Sequence, residues 1–177
     1  ASVALSVDSD NLIAKYINSS SLSIDFIDHF RQPGEEFDYN WEERWIRDEG
    51  FLKIVPKAIN DLFDKTNIDG SKIDHFIIPS VFPRVDQMIA KKCGIDPDKV
   101  VNNMALTVGN SGSAHALLML ASVLETAKPG EKILVCSFGN GSDALLFETT
   151  DNIKSYKPFQ TIESLIESGI EEHNYLK

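Results

Sequence analysis

The stretch IDHFIIPSVFPRVDQMIAKKCG, residues 73–94, decides the fold class. Its first part, IDHFIIP, is a short apolar run closed by Pro79, as expected of a strand buried between layers. The period then changes. In VDQMIAKKCG the residues Val85, Met88 and Ile89 share one side of a helix, and Gly94 stands where a helix C-cap belongs. A strand followed by an amphipathic helix is an α/β signal.

The alternation repeats on both sides of this unit. VVNN (100–103) reads as a short strand, and HALLMLASVLETA (115–127) as a helix with Leu117, Leu118, Ala121 and Leu124 on its apolar side, ended by KPG. KILVCSF (132–138) is almost wholly apolar, as a strand covered on both faces should be, and ALLFETT (144–150) returns after GNGSD as its antiparallel neighbour. Upstream, Leu52, Val55, Ile59, Leu62 and Phe63 recur at helical spacing between Gly50 and Asn67. Pro56 would be cheap there only in a first turn. Residues 19–47 keep no period. Seven acids between Glu35 and Glu49, with Phe37, Tyr39, Trp41 and Trp45 among them, predict a surface excursion with aromatic anchors. The opening SVALSVDSDNLIAKYI predicts a hairpin or two adjacent strands over 2–17. A strand so near residue 1 also suggests that the chain is part of a larger polypeptide. Residues 150–177 predict a surface-packed tail with a short helix at TIESLIES, after a single domain over 1–149.

Composition narrows the function classes. With 42% hydrophobic and 25% charged residues the chain is ordinary for a globular domain. Its 17 basic against 27 acidic residues give a net charge of -10, which argues against nucleic acid or anionic lipid as partners. No apolar run approaches the roughly 18–20 residues of a membrane span, and the start lacks a basic region followed by a long apolar stretch, so a cytoplasmic protein is expected. Cys93 and Cys136 lie in apolar surroundings without CxxC or Cys/His spacing, which predicts reduced core thiols and no metal site.

Chemistry concentrates in two glycine turns. VGNSGSAHALLM (108–119) runs from glycines into an apolar helix, offering backbone donors and the positive helix end to an anion or developing oxyanion. Asn110 could add an amide donor or simply cap the helix. Neither GxGxxG nor GxxxxGK[ST] is present, so a phosphate cradle has little support. SFGNGSD (137–143) could be a plain hairpin turn or bring backbone close to the first; Asp143 could bond to its own turn or a neighbouring helix start. His29, His75, His115 and His173 show no triad spacing or HExxH, and His115 reads as a helix-boundary residue rather than a base.

The order of these segments from Ile73 to Thr149, with both glycine turns, resembles the C-terminal half of the thiolase-like superfamily. The nearest branches are beta-ketoacyl-acyl carrier protein synthase III and the archaeal-type hydroxymethylglutaryl-CoA synthases. The resemblance covers residues 1–149 well, and the tail from Thr150 is similar to the hydroxymethylglutaryl-CoA synthase branch. It implies a thiolase-like half with a five-stranded mixed sheet flanked by helices. It also implies an N-terminal half, or partner subunit, carrying a nucleophilic cysteine, and a dimer or higher oligomer. The chemistry implied is carbon-carbon bond formation from thioesters of CoA or of the phosphopantetheine of acyl-carrier protein, without a further cofactor. The family asparagine matches Asn110, with Gly109, Ser111, Gly139 and Gly141 as substrate-binding turn residues. The family histidine position holds Ser80; His75 lies upstream of it, and Cys93 and Cys136 do not match the nucleophile. The family loop FGSGAGSDA is shortened here to FGNGSDA. These departures leave two other readings open, a non-catalytic scaffold subunit of a condensing complex and an acyl-carrier or small-ligand binding domain.

Overall fold

A computed structural model describes residues 2–170; the end of the tail, with His173, lies outside the described residues. The chain forms β1 (Ala14–Ser23), a two-residue pair β2 (His29–Phe30) and β3 (Tyr39–Asn40), α1 (Glu43–Trp45), a π-helical turn Ile46–Phe51 and α2 (Leu52–Thr66). It continues with β4 (His75–Ile77), α3 (Val85–Lys92), α4 (His115–Thr126), β5 (Lys132–Gly139), β6 (Gly141–Thr149) and α5 (Ile162–Glu167). The main sheet has the order β1-β6-β5-β4, with β4 parallel to β5 and the other pairs antiparallel.

Four strands replace the five expected. Val100 makes a single parallel bridge to Phe76, outside β4, so the VVNN segment occupies a fifth position without extending along it. Asn102 and Asn103 explain the arrest: each side-chain oxygen accepts a backbone N–H two residues on, from Met104 and Ala105, and turns the chain away. The expected opening hairpin is also absent. Residues 14–23 form one long strand instead, because its partner is β6, with Tyr16 set opposite Phe147.

Two layers meet on the sheet. Leu134 and Cys136 of β5, with Ala144 and Leu146 of β6, pack under α2 and α3; Ile133 and Val135 point the other way, to Met119, Leu120 and Val123 of α4. Alternate residues of β5 thus enter opposite cores, which is why its sequence is apolar throughout. The residue phase of α4 departs from expectation. Met119, Leu120, Val123 and Leu124 are buried, whereas Leu117 is 40% exposed. Met88 of α3 is likewise outside the core, 45% exposed.

Pro56 sits in the interior of α2 rather than at its start, because the helix runs back through the π-helical turn. The proline removes the N–H that would bond the Leu52 carbonyl, and Lys92 of α3 donates to that oxygen instead, at 2.8 Å. The acidic excursion begins later than predicted, since Ser19–Ser23 belong to β1, and it is anchored through rings. Phe26 is buried and stacks on Trp45 at 4.3 Å, and Phe30, Tyr39 and Trp41 extend this ladder over the surface.

Both cysteines are free and buried. Burial pushes the Cys93 thiol up to about 11, against a smaller opposing pull from Lys92, and burial raises Cys136 well above the ordinary thiol range, so neither forms thiolate near neutrality. We expect a thiol-disulfide reagent at pH 8 to leave the folded protein unlabelled and to titrate two thiols after unfolding in guanidinium. Fast labelling of a single cysteine in the folded protein would contradict this burial.

Candidate functional site

Three loops meet at the C-terminal ends of the parallel strands β4 and β5, the edge where open α/β sheets place their ligands. One follows β4 and carries Ser80. Another is the turn at 109–114 that leads into α4. The third is the Gly139-Asn140-Gly141 corner between β5 and β6.

In the first glycine turn, Gly109 and Gly112 adopt φ of 72° and 61°, a region that costs other residues strain. The Asn110 side-chain oxygen accepts the Gly112 N–H at 2.9 Å. Only an oxygen can accept from that N–H, so the amide orientation is fixed. The NH2 group is turned away and bonds to no partner among the described residues. Ser111 N–H donates to His115 Nδ1 at 3.1 Å. The N–H groups of Ser111 and Gly112 are therefore both taken up inside the turn and are not offered to a ligand.

His115 is 4% exposed and bonds through both nitrogens. Its Nε2–H donates to the Asn103 carbonyl at 2.6 Å. Asn103 in turn donates its side-chain amide to the Ser80 carbonyl at 3.0 Å, which joins the first glycine turn to the loop after β4. No motif or periodicity singles out Asn103. The usable signal was the consecutive Asn102-Asn103 pair, both able to make side-chain turns.

Ser80 stands where the resemblance requires histidine. Its hydroxyl accepts the Phe82 N–H at 3.1 Å and so serves its own loop. His75 does not take its place, since it starts β4 while Ser80 follows the strand's other end. There His75 Nε2 lies 2.8 Å from Glu131. Burial opposes ionisation of Glu131, but the hydrogen bonds from His75 and the Lys128 N–H outweigh it and hold the carboxyl below its ordinary range. Phe51 links the remaining loops: its ring lies 5.7 Å from that of Phe82 beside Ser80 and 4.3 Å from that of Phe138 beside Gly139. Gly139 and Gly141, with Ser21, Ser137 and Asn140, line a pocket of about 330 Å³. Asp143 makes neither bond suggested for it and stands exposed on β6. Among the described residues no cluster of His, Cys, Asp or Glu could hold a metal ion, and no helix is long and apolar enough to cross a membrane.

Comparison with known proteins fits this arrangement. The C-terminal family of 3-oxoacyl-[acyl-carrier-protein (ACP)] synthase III matches residues 63–147. Hydroxymethylglutaryl-CoA synthase of Aeropyrum pernix is 33% identical over 133 residues, covering 73% of this chain and 37% of that protein. The 3-oxoacyl-[acyl-carrier-protein] synthase III of Aquifex aeolicus superposes with a TM-score of 0.68 at 15% identity, over 80% of this chain and 46% of its own. The peroxisomal 3-ketoacyl-CoA thiolase of Saccharomyces cerevisiae, described as a five-layered A-B-A-B-A structure built from two core domains of identical topology, gives 0.53 at 20% identity, over 77% and 34%. The chain is a thiolase-like C-terminal half in its fold and in its sequence similarity. Its sequence similarity is to the synthase III C-terminal family and to hydroxymethylglutaryl-CoA synthases. The chain spans less than half the length of the curated relatives it matches, 37% of the Aeropyrum protein.

Proposed function

We propose that this chain is the C-terminal half of a cytoplasmic condensing enzyme that forms a carbon-carbon bond from acyl thioesters. An N-terminal half, on the same polypeptide or on a partner subunit, brings the cysteine. That cysteine's thiolate attacks the thioester carbonyl and expels the CoA or phosphopantetheine thiol. A carbon nucleophile from a second thioester then attacks the acyl-enzyme carbonyl, forming the new bond and releasing the cysteine. Asn110 donates its amide to the carbonyl oxygen as negative charge gathers there.

The observation that carries this reading is the uncovered flank of α4. The helix is apolar nearly all round, yet only one side enters this chain's core. Leu117 and Ala121 instead border a groove of about 1000 Å³ that runs along Leu145 and Phe147 of β6 and Tyr16 of β1. A second α/β half laid on this side would bury the open flank of α4 in a shared helical layer.

Native mass spectrometry of untagged protein from its source tests the assignment. We expect this sequence either fused to, or in stoichiometric complex with, a cysteine-bearing half, and Leu117→Arg should dissociate the complex or abolish its assembly. A stable assembly of this 177-residue chain alone, without thioester turnover, would overturn it. Such a result would favour the scaffold reading, which one observation already recommends: Ser80 has no titrating imidazole to offer and spends its hydroxyl on its own loop.

A further inference from the structure

We infer that His115 is a positioning residue: together with Asn103 it ties the Asn110 turn to the Ser80 loop and so fixes the aim of the Asn110 amide. This rests on the condensing reading of the same site. The connection runs through three consecutive hydrogen bonds, from Ser111 N–H to His115 Nδ1, from His115 Nε2–H to the Asn103 carbonyl, and from the Asn103 side-chain amide to the Ser80 carbonyl.

The chemistry of the partners fixes the state of the ring. A backbone carbonyl only accepts, so Nε2 carries the hydrogen, and a backbone N–H only donates, so Nδ1 is a bare lone pair. One neutral tautomer satisfies both loops. No aliphatic or aromatic side chain of similar volume offers an acceptor and a donor at these two points, and a ring this buried has no water to replace either bond. His115 also opens α4, whose next turns are fixed in the core through Met119 and Leu120. The two loops are thereby referred to a rigid element rather than only to each other. Asn110 depends on this, because its amide is aimed by a bond to Gly112 in the turn that His115 holds. A shift of that turn of about 1 Å would misplace the donor enough to cost up to about a hundredfold in rate.

The test separates a tie from a merely structural histidine. In the full chain with ¹⁵N-labelled histidine, long-range proton-nitrogen spectra should show Nε2 protonated and Nδ1 bare for the histidine whose signals are lost in His115→Phe. Amide exchange at Ser111 should accelerate about tenfold in His115→Phe while the core amides of Ile59 and Leu134 keep their protection. His115→Asn, whose side-chain oxygen takes the place of Nδ1, should restore protection at Ser111. His115→Gln, which keeps only the donor toward Asn103, should not. In the assembled enzyme His115→Phe should lower kcat with little change in KM, with partial recovery in His115→Asn.

Unchanged exchange at Ser111, equal loosening of the core amides, or no difference between Asn and Gln would overturn the tie. If His115→Phe fails to fold, Asn103→Asp, which keeps the acceptor for the Ala105 N–H and removes only the amide donated to Ser80, must loosen the Ser80 loop alone, and its failure to do so counts equally against the tie. The exchange measurements need no turnover. A tie that stands in an assembly that carries out no condensation would refute the condensing reading and not this one.

Discussion

Gly141→Ala should be the most destabilising single-methyl change in this chain, lowering stability by about 4 kcal/mol and the melting temperature by about 10 °C. Gly141 opens β6 opposite Ser23, the last residue of β1, with φ of 122°, a conformation that side chains rarely adopt. A Cβ there would fall 1.8 Å from the Leu22 carbonyl oxygen and 2.8 Å from its carbon. The obstacle is backbone, so no rotamer change relieves it. Either the end of β1 must peel from β6 or the corner must rebuild. β1 is an edge strand held in this sheet only by β6, and Leu22 packs into the core under α2, so peeling exposes apolar surface as well as breaking the ladder. Gly139, across the same corner, is the matched control. It has no positive φ, and its Cβ would meet nothing within 4 Å. Gly139→Ala should therefore cost less than about 1 kcal/mol. Chemical denaturation of the two variants side by side reads the contrast, and equal midpoints would show that β1 does not close on the corner as described.

The same corner shows what was legible in the sequence. That KILVCSF and ALLFETT form an antiparallel pair followed from pattern alone, because period and punctuation are local. That glycine is needed at 141 for the approach of Leu22 could not follow, since the two residues are more than a hundred positions apart. α2, α3 and α4 were readable for the same local reason, but their orientation was less so. α4 illustrates the difficulty: where a helix is apolar almost all round, composition cannot say which side this chain keeps for itself. Leu117 looked like core and instead borders the groove. Pro56 misled in the opposite sense, because the remedy for its missing N–H comes from Lys92, on another helix. In the candidate site Asn110, Ser80 and both glycine turns were visible as residue types. The connection through His115 and Asn103 was not, because it depends on loops brought together only by the parallel pairing of β4 and β5.

Asn110→Asp should reduce condensation by the assembled enzyme by about 10²–10³-fold in kcat, the range measured when a single oxyanion donor is removed. The substitution is chosen for what it keeps. Asn110 does two things, accepting the Gly112 N–H through its oxygen and presenting its NH2 away from the turn. Alanine would abolish both, so a loss in Asn110→Ala could mean no more than a collapsed turn. Aspartate retains an acceptor for Gly112, and its negative charge suits the start of α4. It removes the donor and places charge where a developing oxyanion would need the opposite. The condensing reading therefore predicts that Asn110→Asp keeps the melting temperature within about 2 °C of wild type, a change under about 1 kcal/mol, while turnover falls as steeply as in Asn110→Ala. A capping role predicts the reverse order, with aspartate active and only alanine impaired, because Asn and Asp serve equally well as caps. Thioester binding completes the comparison. A donor that acts on the transition state should lower kcat with KM little changed, whereas a donor used mainly to hold the ground-state carbonyl should raise KM and leave kcat alone. Full activity in Asn110→Asp would remove the amide from the chemistry and leave this half of the fold with no reacting group of its own.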